Sequence, residues 1–113
     1  MEITSNVKDQ IVTAKIVGNL LGEKDAKPIL DVIEGNIEQG NKQFILLLEE
    51  LKYINSTGLS VLITSLTKSR NAGGELYIVT PSPQLDNLLK ITKLDSVFSR
   101  ANSEEEAKEK LTA

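Results

Sequence analysis

The run Phe44-Ile45-Leu46-Leu47-Leu48, apolar at every position, constrains the fold more than any other stretch. A strand that is apolar on both faces must be covered on both, so it belongs inside a layered sheet. Shortly after it, Asn55-Ser56-Thr57-Gly58 opens a segment in which Leu59, Leu62, Ile63 and Leu66 fall at i, i+3, i+4 and i+7, one face of a helix. An apolar strand thus runs out and a helix begins at the edge of a buried sheet. The rest of the chain is organised around that junction.

Asn55, Ser56 and Thr57 all carry short side chains that accept hydrogen bonds from the free N–H groups of a first helical turn, so one of them is the expected N-cap. The same position has a second reading. A helix start exposes donors and a positive dipole end, so a hydroxyl held there is reachable from solvent and a phosphate placed on it is tolerated by the host fold. Gly58, in the first turn, costs helix stability and points to a close approach, either by another backbone or by tight packing on the neighbouring strand. Leu59 reads as core.

Around this junction the chain reads in order as alternating layers. Ile11 to Val17 is a strand with Val12, Ala14 and Ile16 on one face; Ile3 to Val7 is its short partner across a turn at Lys8-Asp9-Gln10, and Gly18-Asn19 breaks the run. Ala26, Ile29, Leu30, Ile33 and Ile37 then repeat at helical spacing, with Asp25 as a cap, Pro28 in the first turn and Gly40 as the stop. The second helix closes at Gly73-Gly74, Leu76 to Val79 is a strand stopped by Thr80-Pro81, and Ser82 caps a third helix with Pro83 at its first position and Leu85, Leu88 and Leu89 as its buried stripe. Leu94 to Phe98 is a short apolar piece, and Ser103 with Glu106 forms a capping box for a last, acidic helix through Leu111. Right-handed crossovers make the strands at 44–48 and 76–79 parallel neighbours, with the helices on both sides of the sheet or all on one.

Length and composition remove several function classes. A chain of 113 residues suits one domain with one core, here residues 1–113. A net charge of -3, with Lys and Arg scattered among acids, gives no footprint for nucleic acid. The absence of both Cys and His excludes ordinary zinc sites, thiol nucleophiles and His-based triads, and no Gly-rich phosphate loop or paired carboxylates stand out, so neither metal nor cofactor is expected. Ser56 has no His or suitably spaced Lys to activate it, which argues against an enzyme. The start has no basic and apolar leader pattern and no run approaches the roughly 20 apolar residues that cross a bilayer, so the chain reads as soluble, cytoplasmic and off the membrane.

Asn55-Ser56-Thr57-Gly58-Leu59 between strand and helix, Ala72-Gly73-Gly74-Glu75-Leu76, Thr80-Pro81-Ser82-Pro83, and Leu88 to Asp95 ending in Val97-Phe98 together resemble the STAS domain of bacterial anti-sigma factor antagonists, over nearly the whole chain. The resemblance implies an α/β layered fold with a mixed central sheet of about four to five strands and about four helices. It also implies a small bacterial cytoplasmic switch in transcription regulation. In such partner switching the unmodified antagonist, free as a monomer, binds an anti-sigma factor that is also a GHKL-type serine kinase, and a sigma factor is released. Phosphorylation ends that binding and a PP2C-type phosphatase restores it.

By the resemblance, Ser56 is the phosphorylated residue, and Asn55, Ser56, Thr57, Gly58, Leu21 and Asp25 face the partner; the residues themselves leave Thr57 open as an alternative acceptor. Two stretches depart from the family pattern. Asn55 stands where the motif has Asp, and Gly18-Asn19-Leu20-Leu21 stands for Gly-Glu-Leu-Asp, leaving Asp25 as the nearest carboxylate. These departures motivate an alternative: a STAS adaptor or scaffold, as in stressosome-type or lipid-transport complexes, with no phosphorylation cycle.

Overall fold

A computed structural model describes residues 1–79 and 81–112. Its chain runs β1 (Glu2–Lys8), β2 (Ile11–Leu20), α1 (Glu23–Glu38), β3 (Gln43–Leu47), β4 (Leu51–Ile54), α2 (Ser56–Asn71), β5 (Glu75–Val79), α3 (Pro83–Ile91), β6 (Ser99–Ala101) and α4 (Glu104–Thr112). The six strands form one mixed sheet in the order β1-β2-β3-β5-β6, with β4 paired to β2. Only the β1–β2 hairpin is antiparallel; β3 and β5 are parallel neighbours as the crossover rule requires.

The sheet explains the layering that periodicity left open. The crossovers step one way, β2 to β3 to β5 to β6, so right-handed connections put α1, α2 and α3 on the same face. There Val12, Ala14 and Ile16 meet Phe44, Leu46 and Ile78 from the sheet and Ile29, Ile33, Leu59, Leu62, Leu66, Leu85 and Leu89 from the helices. Among the described residues the other face is covered by α4, where Ala107 packs with Ile11, Ile45, Val79 and Ala101. Phe44, Ile45 and Leu46 are consequently fully buried from both sides, the outcome their uninterrupted apolar run demands.

Two short strands have no counterpart in the sequence reading. The first is β4. A tight turn closes after β3, with the Leu51 N–H donating to the Leu48 carbonyl at 3.2 Å, and β4 then continues along β2. The second is β6, three residues joined to β5 directly after the apolar piece ending at Phe98.

Gly18-Asn19, expected to end β2, instead forms an irregularity within it. Gly18 adopts φ +105, its N–H donates to the Glu50 carbonyl at 3.0 Å, the register to β4 shifts, and the strand continues through Leu20. Glycine here makes a bulge rather than a stop, because a partner strand is present to re-pair the chain. At the hairpin, Asp9 and Gln10 have φ 54 and 66, a two-residue turn of the type whose twist matches antiparallel strands.

The helix ends follow the sequence closely. Gly40 (φ +89) and Gly73 (φ +90) are the left-handed residues after α1 and α2, and Asn41 and Gly74 donate back to the Asn36 and Ser69 carbonyls at 2.8 and 2.9 Å. Ser82 caps α3 by accepting from the Leu85 N–H at 3.3 Å. Ser103 accepts from the Glu106 N–H at 3.0 Å, while the Glu106 carboxylate takes the Asn102 N–H, also at 3.0 Å. Thr80, expected as part of the stop after β5, lies outside the described residues.

The buried stripe of α2 is wider than the leucine spacing suggests. It contains Gly58, Leu59, Val61, Leu62, Ser65, Leu66 and Ser69, whereas Ile63 is half-buried at its margin. Ser65 and Ser69 are tolerated there because each hydroxyl donates to the carbonyl four residues back, at 2.9 and 2.8 Å.

Candidate functional site

The site is assembled where the end of β2 and the start of α2 meet. Asn55 is the α2 N-cap: in extended conformation (φ -117, ψ -171), its Oδ1 accepts from the Gly58 N–H at 3.0 Å. Its Nδ2 donates in the other direction, to the Leu21 carbonyl at 2.9 Å. The Leu21 N–H in turn donates to the Asp25 carboxylate at 3.1 Å. Leu21 is therefore gripped on both sides of its backbone, by the cap of α2 and by the first turn of α1.

Asp25 takes a different role from the capping expected of it. The N-cap of α1 is Gly22, which supplies no side-chain hydrogen bond, and Asp25 sits in the first turn, where it reaches back to Leu21. A carboxylate there also faces the positive end of the α1 dipole. Pro28 lies past the first turn, inside α1.

Gly58 is buried, and the reason is steric. A Cβ added at Gly58 would collide with the Leu20 carbonyl oxygen and come within 2.8 Å of Ile54 Cγ1 and 2.9 Å of Leu20 Cγ. The close backbone approach inferred from the sequence is thus that of β2. It brings the start of α2 down onto the sheet, and Gly58 offers no surface to a partner.

What remains accessible is compact. Asn55, Ser56, Thr57 and Ser60 are exposed, as is Leu21 at 45%, and Asp25 is half-buried. Ser56 is the first residue of α2, and none of the described residues hydrogen-bonds to its hydroxyl; its carbonyl accepts from the Ser60 hydroxyl at 3.0 Å. The first turn of α2 holds no acidic residue, while Lys68 and Arg70 occupy the last, so the positive end of its dipole is left uncompensated by its own side chains. Phosphate on Ser56 would therefore be accommodated at the helix start without opposing charge from that turn.

Sequence reasoning missed Tyr53. Alternation along β4 groups it with buried Leu51, yet it is 56% exposed, an aromatic beside the cap. It borders a groove of about 340 Å³ lined by Glu49, Leu51, Lys52, Ser82, Pro83 and Gln84 as well. Leu21 and Tyr53 add apolar area to an otherwise polar face.

Among the described residues, no group of three His, Cys, Asp or Glu is placed to hold a metal ion, and no helix is long and apolar enough to cross a membrane.

Comparison with known proteins agrees with this architecture. BtrV of Bordetella bronchiseptica, named as a candidate anti-sigma factor antagonist, is 27% identical over 107 residues, covering 95% of this chain and 91% of its own. The crystal structure of TM1081 from Thermotoga maritima, another candidate anti-sigma factor antagonist, superposes with a TM-score of 0.87 at 20% identity over 98% of this chain and 95% of that one. Unphosphorylated SpoIIAA, an anti-sigma factor antagonist, superposes with a TM-score of 0.77 at 19% identity over 99% of both chains. The STAS domain family matches residues 2–107, and the chain belongs to that family.

Proposed function

We propose that this chain is an anti-sigma factor antagonist whose binding face is the start of α2 and whose binding is ended by phosphorylation of Ser56. The observation that carries the reading is the placement of Ser56. It is exposed at the first position of α2, with exposed Leu21 and Tyr53 on the same end of the fold and the Asn55–Leu21 hydrogen bond holding the two segments together. The similarity to proteins named as anti-sigma factor antagonists supports the partner class. The resemblance supports a GHKL-type kinase as the anti-sigma factor and a PP2C-type phosphatase as its counterpart. The chain acts by binding and not by turnover.

The mechanism follows from charge and desolvation. An interface centred on a small neutral hydroxyl closes over Ser56 and excludes water. A phosphoryl group transferred to that hydroxyl brings about -1.5 to -2 charges and three acceptor oxygens into the same space. The partner then meets an unpaired, desolvated charge, whereas the host helix tolerates it at its N-terminus.

A second reading, a STAS adaptor without a phosphorylation cycle, is favoured by one observation. Asn55 replaces a motif Asp and uses its amide to hold Leu21, so the cap is spent on fixing the loop and carries no charge beside the hydroxyl. Capture from the native host's lysate with the unmodified chain, Ser56→Ala and Ser56→Asp separates the two. Recovery of a GHKL-type kinase by the first two baits and not the third supports the switch; equal recovery of one assembly by all three supports the adaptor.

A further inference from the structure

We propose that the open edge of β1 is a self-association surface, on which a second copy of this chain adds its own β1 antiparallel, with the two-fold axis at Ser5. This departs from the free monomer that the resemblance implies, and it stands independently of the phosphorylation reading.

β1 ends the strand order, and among the described strands it pairs with β2 alone. Every residue from Thr4 to Lys8 is exposed. The strand lacks the devices by which natural edges refuse partners: it has no Pro, no Gly and no charge from Ile3 to Val7. The opposite edge, β6, is protected by being only 3 residues long.

The hairpin fixes which groups face outward. The positive φ values of Asp9 and Gln10 define a two-residue turn that closes on Lys8 and Ile11 as a hydrogen-bonded pair. Because such pairs alternate along an antiparallel ladder, Asn6, Thr4 and Glu2 also bond to β2, and the N–H and C=O groups of Ile3, Ser5 and Val7 point to the open edge. A second β1 can bond only by matching these outward residues to its own.

The side chains then choose one register. With Ser5 opposite Ser5, Ile3 of each copy meets Val7 of the other on the face that carries α1. On the opposite face Thr4 meets Asn6 and Glu2 meets Lys8, so both charged ends of the strand find the opposite charge. Shifting by two residues keeps the backbone phase but leaves Glu2 or Lys8 beyond the pairing. Val7, 48% exposed in the single chain, gains Ile3 of the other copy as an apolar neighbour in the same register that pairs both charged ends. One strand pair buries less than the roughly 1,200 Å² of a standard interface, so the dimer is weak and appears at high concentration.

Sedimentation equilibrium from micromolar to millimolar protein tests this. The native chain is expected to dimerise with concentration. Ser5→Pro is expected to remain monomeric with an unchanged far-ultraviolet spectrum, because the Ser5 N–H bonds nothing within the monomer. Glu2→Lys and Lys8→Glu are each expected to weaken association about tenfold, and the double variant to restore it. A native chain that stays monomeric throughout would overturn the proposal. So would a dimer indifferent to Ser5→Pro, or one in which the double charge swap fails to rescue the single ones.

Discussion

The side-chain amide of Asn55 donates to the carbonyl of Leu21 across 2.9 Å, tying together two positions 34 residues apart. An aspartate could cap α2 equally well but has no hydrogen to give Leu21. This contact joins the residue after β2 to the cap of α2, beside the close packing of Gly58 on Leu20.

Asn55→Ala should lose both the cap and the tether. Since the residue is exposed, the expected cost is about 1–2 kcal/mol, read from the midpoint of urea unfolding. Asn55→Asp should change global stability by less than about 1 kcal/mol, because the retained cap and a better charge for the dipole offset the lost bond. Its signature is local: the Leu21 and Gly22 amides should exchange with solvent faster. Unchanged exchange in both variants would show that the tether does not order the loop.

Glycine substitutions should separate steric need from tolerance. At Gly58 the added methyl has no room against the Leu20 carbonyl, so Gly58→Ala should destabilise by about 1–3 kcal/mol despite the better helix propensity of alanine. At Gly35, inside α1, a Cβ meets nothing within 4 Å. Gly35→Ala should stabilise by about 0.5–1 kcal/mol. Thermal unfolding of the two variants should shift in opposite directions; a shared direction would contradict the packing described at Gly58.

The contrast between these glycines shows what a sequence discloses. The strand read at 44–48 and found at Gln43–Leu47, the glycine stops at 40 and 73 and the Ser82-Pro83 helix start were legible because each is set by local chemistry that tertiary packing then used. The continuation of β2 past Gly18 was not legible, because a glycine becomes a bulge only when a partner strand is there to re-pair the chain. β4 and β6 escaped notice for a related reason: four and three residues are too short for periodicity, and their pairing to β2 and β5 is what defines them. At the site, the cap could be narrowed to three residues but not to Asn55. Asp25 was misassigned as a cap because spacing does not reveal that it reaches back to Leu21. Tyr53 was not legible, since β4, the strand that carries it, is too short for periodicity to place its side chain.

Acid should weaken the fold partly through Asp86 and Glu106. Hydrogen bonds from Arg100, and then from Lys90, hold the Asp86 carboxyl below its ordinary range, and the Asn102 N–H with Lys110 does the same for Glu106. A carboxylate depressed in the folded state contributes stability above its unfolded value, and that contribution is lost as pH falls through the folded one. Stability should therefore decline on going from about pH 7 to about pH 3, and less steeply in Asp86→Asn than in the native chain. Parallel acid limbs in urea titrations would show that the Arg100 contact, 2.7 Å long, contributes nothing to stability.

The decisive measurement is the dissociation constant, by titration calorimetry, of the purified anti-sigma factor with the unmodified chain, Ser56→Ala and Ser56→Asp. Ser56→Ala should bind within about threefold of the unmodified chain, while Ser56→Asp should bind at least about tenfold more weakly, a difference of about 1.4 kcal/mol or more. Equal affinities for all three would contradict a switch at Ser56 and leave it as an exposed hydroxyl beside a helix cap.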